Sequence, residues 1–378
     1  MAFRDVLYRL YQPLSPSLRA ELKWTLAALR ELARKARIWN WVRIETTPPG
    51  CTHRVIYSGT AAHREAVDLH LSGNGGPPAA GWDPVAVSEL MLPGALRVPR
   101  YIQPVVPLDG SIDKVLEGYG DKLRRIVRQQ LAKVTVRRAE SAEMIRFADD
   151  TMLRPYALAR HGGGADQLSS DIVNDIASRH DGRLDIVYAG ETPVACHLGF
   201  ERVRRGKRYW NAIRFGFAES VFGNTKRLHE INSVNVFIAT RFAKENGFDY
   251  YGLGDCVARP DDGLLHWKRR RGGELDASQC QEWFYVRLPR RGTTQFLWNT
   301  PLFSAGLRGR RLTLHLGVPA ERSDEDVLAR YREMSFGGLH KVVVHANKPL
   351  SAELLAGLGQ LLGQAGPAPR IVQKLHAA

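Results

Sequence analysis

The residues with chemistry to offer fall between positions 202 and 274, and none is a covalent nucleophile in a readable Ser-His-Asp setting. Asp255 follows Gly254 at the end of a strand candidate. There its carboxylate can hold an ammonium group or take its proton, or it can cap the loop, as Asp after Gly ordinarily does. His229 and Glu230 stand at the start of a helix candidate as proton acceptors, with a buried, hydrogen-bonded histidine as the commoner outcome. Immediately before them, Gly223-Asn224-Thr225-Lys226-Arg227 puts a glycine and two cations at a helix N-terminus, whose amide N–H groups attract phosphate. Tyr251 and Trp267 can stack on an adenine or a tRNA terminus, although core packing is the ordinary fate of both. Two basic runs, 202–208 and 268–271, can contact phosphate or lie in solvent. No pattern of metal ligands is readable.

These residues sit in a chain of 378, long enough for two or three domains, whose 44% hydrophobic content and 20 prolines describe a packed globular protein. Lys and Arg number 54 against 39 Asp and Glu, a net charge of +15. That excess favours polyanionic partners: RNA, an acidic carrier protein, a coenzyme phosphate or an anionic membrane. A surface made basic for solubility alone is the alternative. Cys51, Cys196, Cys256 and Cys280 are too far apart for a zinc CxxC pair or a small disulfide framework, so buried reduced thiols are expected. The opening MAFRDVLYRLYQPL lacks the apolar core and cleavage site of a leader, and no stretch approaches the roughly 18 apolar residues of a membrane span. No transmembrane segment and a cytoplasmic location are the expectation.

Several elements are needed to position the chemistry. After Pro16, Leu18, Leu22, Leu26, Leu29 and Leu32 recur at helical spacing, with Arg19, Lys23, Arg30, Arg34, Lys35 and Arg37 elsewhere on the surface. The cations can lie on an anionic membrane, but the favoured reading is a helix docked by its leucines with its charges in solvent. Apolar runs at 55–57 and 85–92, broken by Gly and Pro most densely at 73–81, suggest a small α/β half, and a helix over 112–132 connects onward. Strands at 185–188, 194–202 and 209–217 make an antiparallel meander. Leu228, Ile231, Val234, Ile238 and Phe242 then keep helical spacing up to Gly247, before a strand at 248–253. A basic segment, 289–311, leads to strand, helix, strand and helix at 312–316, 324–334, 341–345 and 351–364. The predicted fold is α/β of mixed-sheet type in four segments: 1–50, 51–133, 134–288 and 289–378. The helix near 228–246 packs on the sheet of the third segment.

The meander ending at 209–217 and the helix after it are followed by Tyr251-Gly252-Leu253-Gly254, Asp262-Gly263-Leu264, Trp267-Lys268 and Gly272-Gly273. Together they resemble, over about half of the chain, the C-terminal half of the Fem-type aminoacyltransferases and the related cellulose-biosynthesis-type acetyltransferases of the GNAT superfamily. Gly252 departs from the acidic residue common in those relatives, and Asp255 can supply a carboxylate nearby. Residues 223–227 keep one glycine and two cations of the Arg-x-x-Gly-x-Gly phosphate loop but lack its second glycine. Fem-type relatives lack the full loop too, which shifts weight toward a carrier other than free coenzyme A.

The resemblance implies a GNAT-like domain over 134–288, preceded by a smaller, degenerate half and followed by a βαβα extension. It implies acyl transfer to an amine by direct attack, with Lys268 steadying the oxyanion and Asp255 holding the acceptor. Trp267, Tyr251, His229, Glu230 and Arg269 would touch substrate, and no cofactor is tightly bound. Aminoacyl-tRNA stands ahead of acyl-coenzyme A and acyl-carrier protein as co-substrate, and an amine-bearing molecule is the acceptor. Without the resemblance, Lys268 reads as one solvated member of a basic run. The competing reading is a non-catalytic GNAT scaffold that recruits RNA, membrane or a biosynthetic complex.

Overall fold

A computed structural model describes residues 14–37, 40–73, 75–78, 80–162, 168–306 and 311–376. The strands are β1 (Trp41–Thr46), β2 (Val55–Thr60), β3 (Val85–Ser88), β4 (Leu96–Ile102), β5 (Val105–Pro107) and β6 (Val134–Arg138). They continue as β7 (Gly182–Ala189), β8 (Thr192–Arg204), β9 (Lys207–Phe217), β10 (Tyr250–Gly252) and β11 (Cys256–Val257). The last are β12 (Gln281–Arg287), β13 (Leu302–Ala305), β14 (Leu312–Val318), β15 (Leu339–Ala346) and β16 (Arg370–Leu375). The fold is mixed α/β, and the chain divides into two compact units. The first holds the described residues up to Leu26, Val105–Gly254 and Arg270–Gly272; the second holds Ala27–Pro104, Asp255–Arg269 and the described residues from Gly273 onward. The segment 134–288 thus gives strands to both.

The first unit is built on one sheet in the order β5-β10-β9-β8-β7-β6. Strands β7 to β9 form the expected antiparallel meander, β6 extends it, and β10 enters parallel to β9. The β8–β9 hairpin turns through Arg205 (φ 51°) and Gly206 (φ 75°), the paired positive φ values of a tight two-residue turn whose twist matches the strands. The central helix, Thr225–Glu245, has Ile231, Val234 and Ile238 at helical spacing, packed with Val187, Ala195 and Phe217 of the sheet. Its start is fixed by Asn224, whose side chain accepts from the Arg227 N–H at 3.0 Å.

The single helix expected over 112–132 is two, Ile112–Glu117 and Asp121–Leu131. Gly118-Tyr119-Gly120 supplies two poor helix formers, and the break turns Tyr119 inward, edge-on to Phe237 at 6.0 Å between ring centroids. Among the described residues of 139–178, unassigned from sequence, are three α-helices, two of them started by Ser141 and Ser169 caps. They bury Met152, Ile172 and Ile176 with Leu184 and Leu198.

The second unit has two sheets, β1-β2-β3-β12-β4-β11 and β13-β14-β15-β16. The small half around 55–102 is therefore completed by β12, a strand nearly two hundred residues downstream. In the other sheet β14, β15 and β16 run parallel, joined through the helices Asp324–Tyr331 and Ala352–Leu362. Leu314, Leu316, Val342 and Val344 are buried under Val327, Leu354 and Leu358. The expected strand–helix–strand–helix series is present, with β16 added. The segment 289–311, read from sequence only as basic, also supplies the helix Thr293–Asn299 and the edge strand β13.

The helix Pro16–Ala36 corrects an expectation. Leu18, Leu22, Leu29 and Leu32 are 53%, 37%, 55% and 65% exposed, and Leu26 is half-buried, so four of its five leucines are not docked. Among the described residues of this helix Arg19 is the buried one instead, ion-paired with Asp181, a buried carboxylate that Arg179 also meets at 3.1 Å. Among the described residues no helix is long and apolar enough to cross a membrane. All four cysteines are buried as thiols.

Candidate functional site

In the first unit the strongest local chemistry lies at the start of the central helix. Gly223, Asn224, Thr225 and Lys226 are exposed and Arg227 is half-buried. Asn224 takes the Arg227 N–H, while the N–H groups of Thr225 and Lys226 have no acceptor among the described residues. Open N–H groups at the positive end of a 21-residue helix favour an anion. One turn on, His229 is exposed, and its pKa is lowered by partial burial and then by Arg271, Lys122 and Arg270, with Glu230 opposing. The three cations mark this end of the helix as electropositive, and they leave the imidazole neutral near pH 7 and able to take a proton.

Glu230 is less available than its position suggested, because Gln130 Nε2 donates to its carboxylate at 3.1 Å. Behind the helix start, Ser233 Oγ donates to the His229 carbonyl at 2.7 Å and accepts from Arg271 Nη2 at 3.1 Å. Arg271 is 1% exposed, and burial pulls its pKa down to about 10, so it remains a cation at neutral pH. Sequence reasoning missed this role for Arg271 because it closes a run of four cations that reads as solvated. Nothing local distinguishes it.

The same unit holds a fork between parallel strands. β10 pairs with β9 over three residues only, Tyr250 with Tyr209, Tyr251 with Trp210 and Gly252 with Asn211. β9 then continues to Phe217 with β8 on one side and, among the described residues, no strand on the other. An extended ligand bearing amides can lie along that open backbone edge as an added strand does. Tyr251, expected as a stacking residue, is fully buried in the sheet, and burial raises its hydroxyl pKa well above the usual value. It presents no face to a ligand.

The second unit holds the residues expected to catalyse. Lys268 lies on the helix Gly263–Arg269, begun by Asp262 Oδ1 accepting from the Leu265 N–H at 2.8 Å. It is 2% exposed, not solvated, and its Nζ donates to the main-chain carbonyl of Asp255 at 2.8 Å. Burial lowers its pKa, while Cys256, Asp255 and Asp262 work the other way. The pair is thus joined through backbone, and the Asp255 side chain faces solvent. The neighbouring Cys256 thiol is pushed up to about 12 by burial, which keeps it protonated and unreactive.

Trp267 is half-buried. Arg269 is spent on structure: it pairs with Glu333, donates to the Ser335 carbonyl at 3.1 Å and lies over the Phe336 ring. In the 202–208 hairpin, Lys207 pairs with Asp249 and Arg208 with Glu201, both at 2.8 Å, so part of its charge is neutralised locally.

No family model and no curated protein matches the sequence. Among solved structures the chain is similar to FemX at 12% identity, covering 68% of this chain and 90% of that one, with a TM-score of 0.38. It is similar to L-PGS from Bacillus licheniformis at 12% identity, 66% and 81% coverage and a TM-score of 0.33. A third likeness is to an aminoglycoside acetyltransferase from an uncultured soil metagenomic sample, at 9% identity, 37% and 88% coverage and a TM-score of 0.27. These likenesses, all with TM-scores below 0.5, bring no substrate and no residue role with them.

Proposed function

We propose that this chain transfers an acyl or aminoacyl group from a polyanionic carrier to an amine, with aminoacyl-tRNA ahead of acyl-coenzyme A and acyl-carrier protein as donor. The observation that carries the reading is the uncovered start of the central helix, where two N–H groups lack acceptors and Lys122, Arg270 and Arg271 lie close enough to act on His229. A carrier phosphate fits there. The acceptor amine attacks the ester or thioester carbonyl carbon, a C–N bond forms, and the tetrahedral intermediate expels the carrier's oxygen or sulfur. Within the first unit, neutral His229 is the proposed recipient of the amine proton. For the second unit, taken by itself, the proposal keeps the roles that the sequence resemblance implies: Asp255 as holder of an ammonium and Lys268, a buried ammonium that acts strongly on negative charge, as partner of an oxyanion.

A scaffold without chemistry is the second reading. It is favoured by the engagement of Lys268 Nζ with the Asp255 carbonyl. The two are separated by incubating the full chain with charged tRNA, acyl-coenzyme A and acyl-carrier protein in turn, without acceptor, and following loss of the acyl group. Accelerated hydrolysis of one donor, abolished by His229→Gln, supports transfer. Donor binding without hydrolysis, and with no product when a mixture of amines is added, supports the scaffold.

A further inference from the structure

The exposed leucines of the N-terminal helix ask for a partner, and the part of that helix lying in the second unit suggests which. At about 100° per residue, Leu29, Leu32 and Ala36 fall on one stripe and Arg30, Ala33 and Arg37 on the next, roughly a quarter-turn round. The first stripe is in water, with its two leucines more than half exposed. The second lines a cavity of about 640 Å³, shared with Asn40, Thr60 and Ala61. Neither Arg30 nor Arg37 has a carboxylate partner among the described residues.

The opposite wall of this cavity is firmly built. Thr60 donates to Glu89 from both its N–H and its Oγ1 at 2.9 Å, and Glu89 is fully buried. His63 Nδ1 lies 3.1 Å from the same oxygen, and Arg100 donates to His63 Nε2 at 2.8 Å. Burial alone would raise the Glu89 pKa, but these hydrogen bonds outweigh it and keep the group ionised. The wall is therefore satisfied internally, and the two guanidinium groups are the part of the lining left to meet a ligand.

We propose that this face is an interfacial contact with an anionic lipid surface, in which Leu29 and Leu32 enter the acyl region and the cavity between Arg30 and Arg37 receives a lipid phosphate headgroup. A membrane offers phosphates and hydrocarbon side by side at a depth of some 5–10 Å, which is the offset between the two stripes of one helix. A nucleic acid would satisfy the arginines and leave the leucines in water. The chain's charge of +15 adds long-range attraction to an anionic leaflet. This inference does not depend on the transfer reading, because none of its residues belongs to the chemistry proposed there.

The test uses the full chain in vesicle sedimentation, with phosphatidylglycerol in phosphatidylcholine against phosphatidylcholine alone. Binding to the anionic vesicles only, weakened by salt, is expected. Arg30→Gln with Arg37→Gln should reduce partitioning about thirtyfold, at roughly a fivefold loss per cation near the surface. Leu29→Ser with Leu32→Ser should reduce it at least tenfold. Both variants alter surface side chains, so an unchanged melting temperature is expected. As a reading independent of those variants, a dye on Leu32→Cys should shift to the blue with anionic vesicles alone.

Equal binding to neutral vesicles, or full binding by either double variant, overturns the proposal. Titration with inorganic phosphate separates the sources. Phosphate binding lost in the arginine variant, with vesicle binding intact, would make this a site for a soluble phosphate. Capture of tRNA that needs the arginines but not the leucines would make it a nucleic-acid face, and either result replaces the membrane.

Discussion

Both units bury ions with partners, Glu89 and Lys268 among them in the second, but the second also buries a row of imidazoles. The first buries carboxylates with partners: Asp181 with Arg19, and Asp185 3.3 Å from His197, whose other ring nitrogen lies 2.9 Å from Asn235 Oδ1. Asn235 is itself oriented by donating to the Cys196 carbonyl at 3.1 Å. Burial would raise the Asp185 pKa, but His197 and Arg183 hold it below the usual carboxylate range. The second unit buries neutral imidazoles. Ser304, His315, His345 and His376 form a hydrogen-bonded row with contacts of 2.7, 3.0 and 2.7 Å, one residue from each strand or its end. A neutral imidazole both donates and accepts, so such a row is satisfied only while it stays unprotonated. One unit should therefore resist mild acid and the other should not.

Acid gives the largest expected effect. Burial lowers the pKa of His315 to about 3, of His345 to about 2 and of His70 to about 4. In the unfolded chain each takes a proton near pH 6.5. Their contribution to stability is complete above that pH and is lost as pH falls below it, at up to about 4 kcal/mol per pH unit for the three together. Asp185 behaves differently: its folded pKa is depressed, so its contribution is present above the ordinary carboxylate pKa and disappears only below it. Hydrogen exchange followed from pH 7.5 to 5 should show β14 and β15 losing protection while β7 and β8 keep theirs. Simultaneous loss would break the comparison.

Removing one buried ion tests the other unit. Asp181→Asn leaves Arg19 buried without its charge partner and should cost about 3–5 kcal/mol, read by urea unfolding. A cost near zero would mean that Arg19 escapes to solvent, and with it the anchored end of the N-terminal helix.

Lys268 is where structure and chemistry coincide. Lys268→Met should lower transfer about a hundredfold, the effect of losing one oxyanion donor. It should also destabilise the second unit by about 1–3 kcal/mol, because the Asp255 carbonyl loses its donor. Arg270→Met is the contrast: exposed and acting on His229, it should weaken donor binding and leave the chemical step nearly unchanged. Lost stability with full activity would reduce Lys268 to a strut.

The smallest effect belongs to the helix start. Lys226→Gln should weaken donor binding a few-fold and lower the salt dependence by about one released counterion, measured as the slope of affinity against salt. An unchanged slope would move the carrier away from this loop.

Local patterns in the chain determined the meander, the central helix and the β14 and β15 strands. Alternation and 3.6-residue spacing are properties of neighbours in sequence, and the sheet and core form wherever those faces can be buried. Which strands join was decided elsewhere: β12 enters between β3 and β4 from far downstream, and β10 leaves β9 after three pairs. Such pairings depend on loop closure and on what else competes for an edge, neither of which leaves a local signature. The run 268–271 makes the same point with single residues. Four adjacent cations become one buried lysine, one paired arginine, one exposed arginine and one buried arginine, because successive side chains around a helix end point in different directions. The leucines of the first helix have the spacing of a docked face, yet Asp181 claims Arg19 and leaves them in water. A buried carboxylate needs its cation more than a leucine needs cover, and that preference appears only once the tertiary structure has buried the carboxylate.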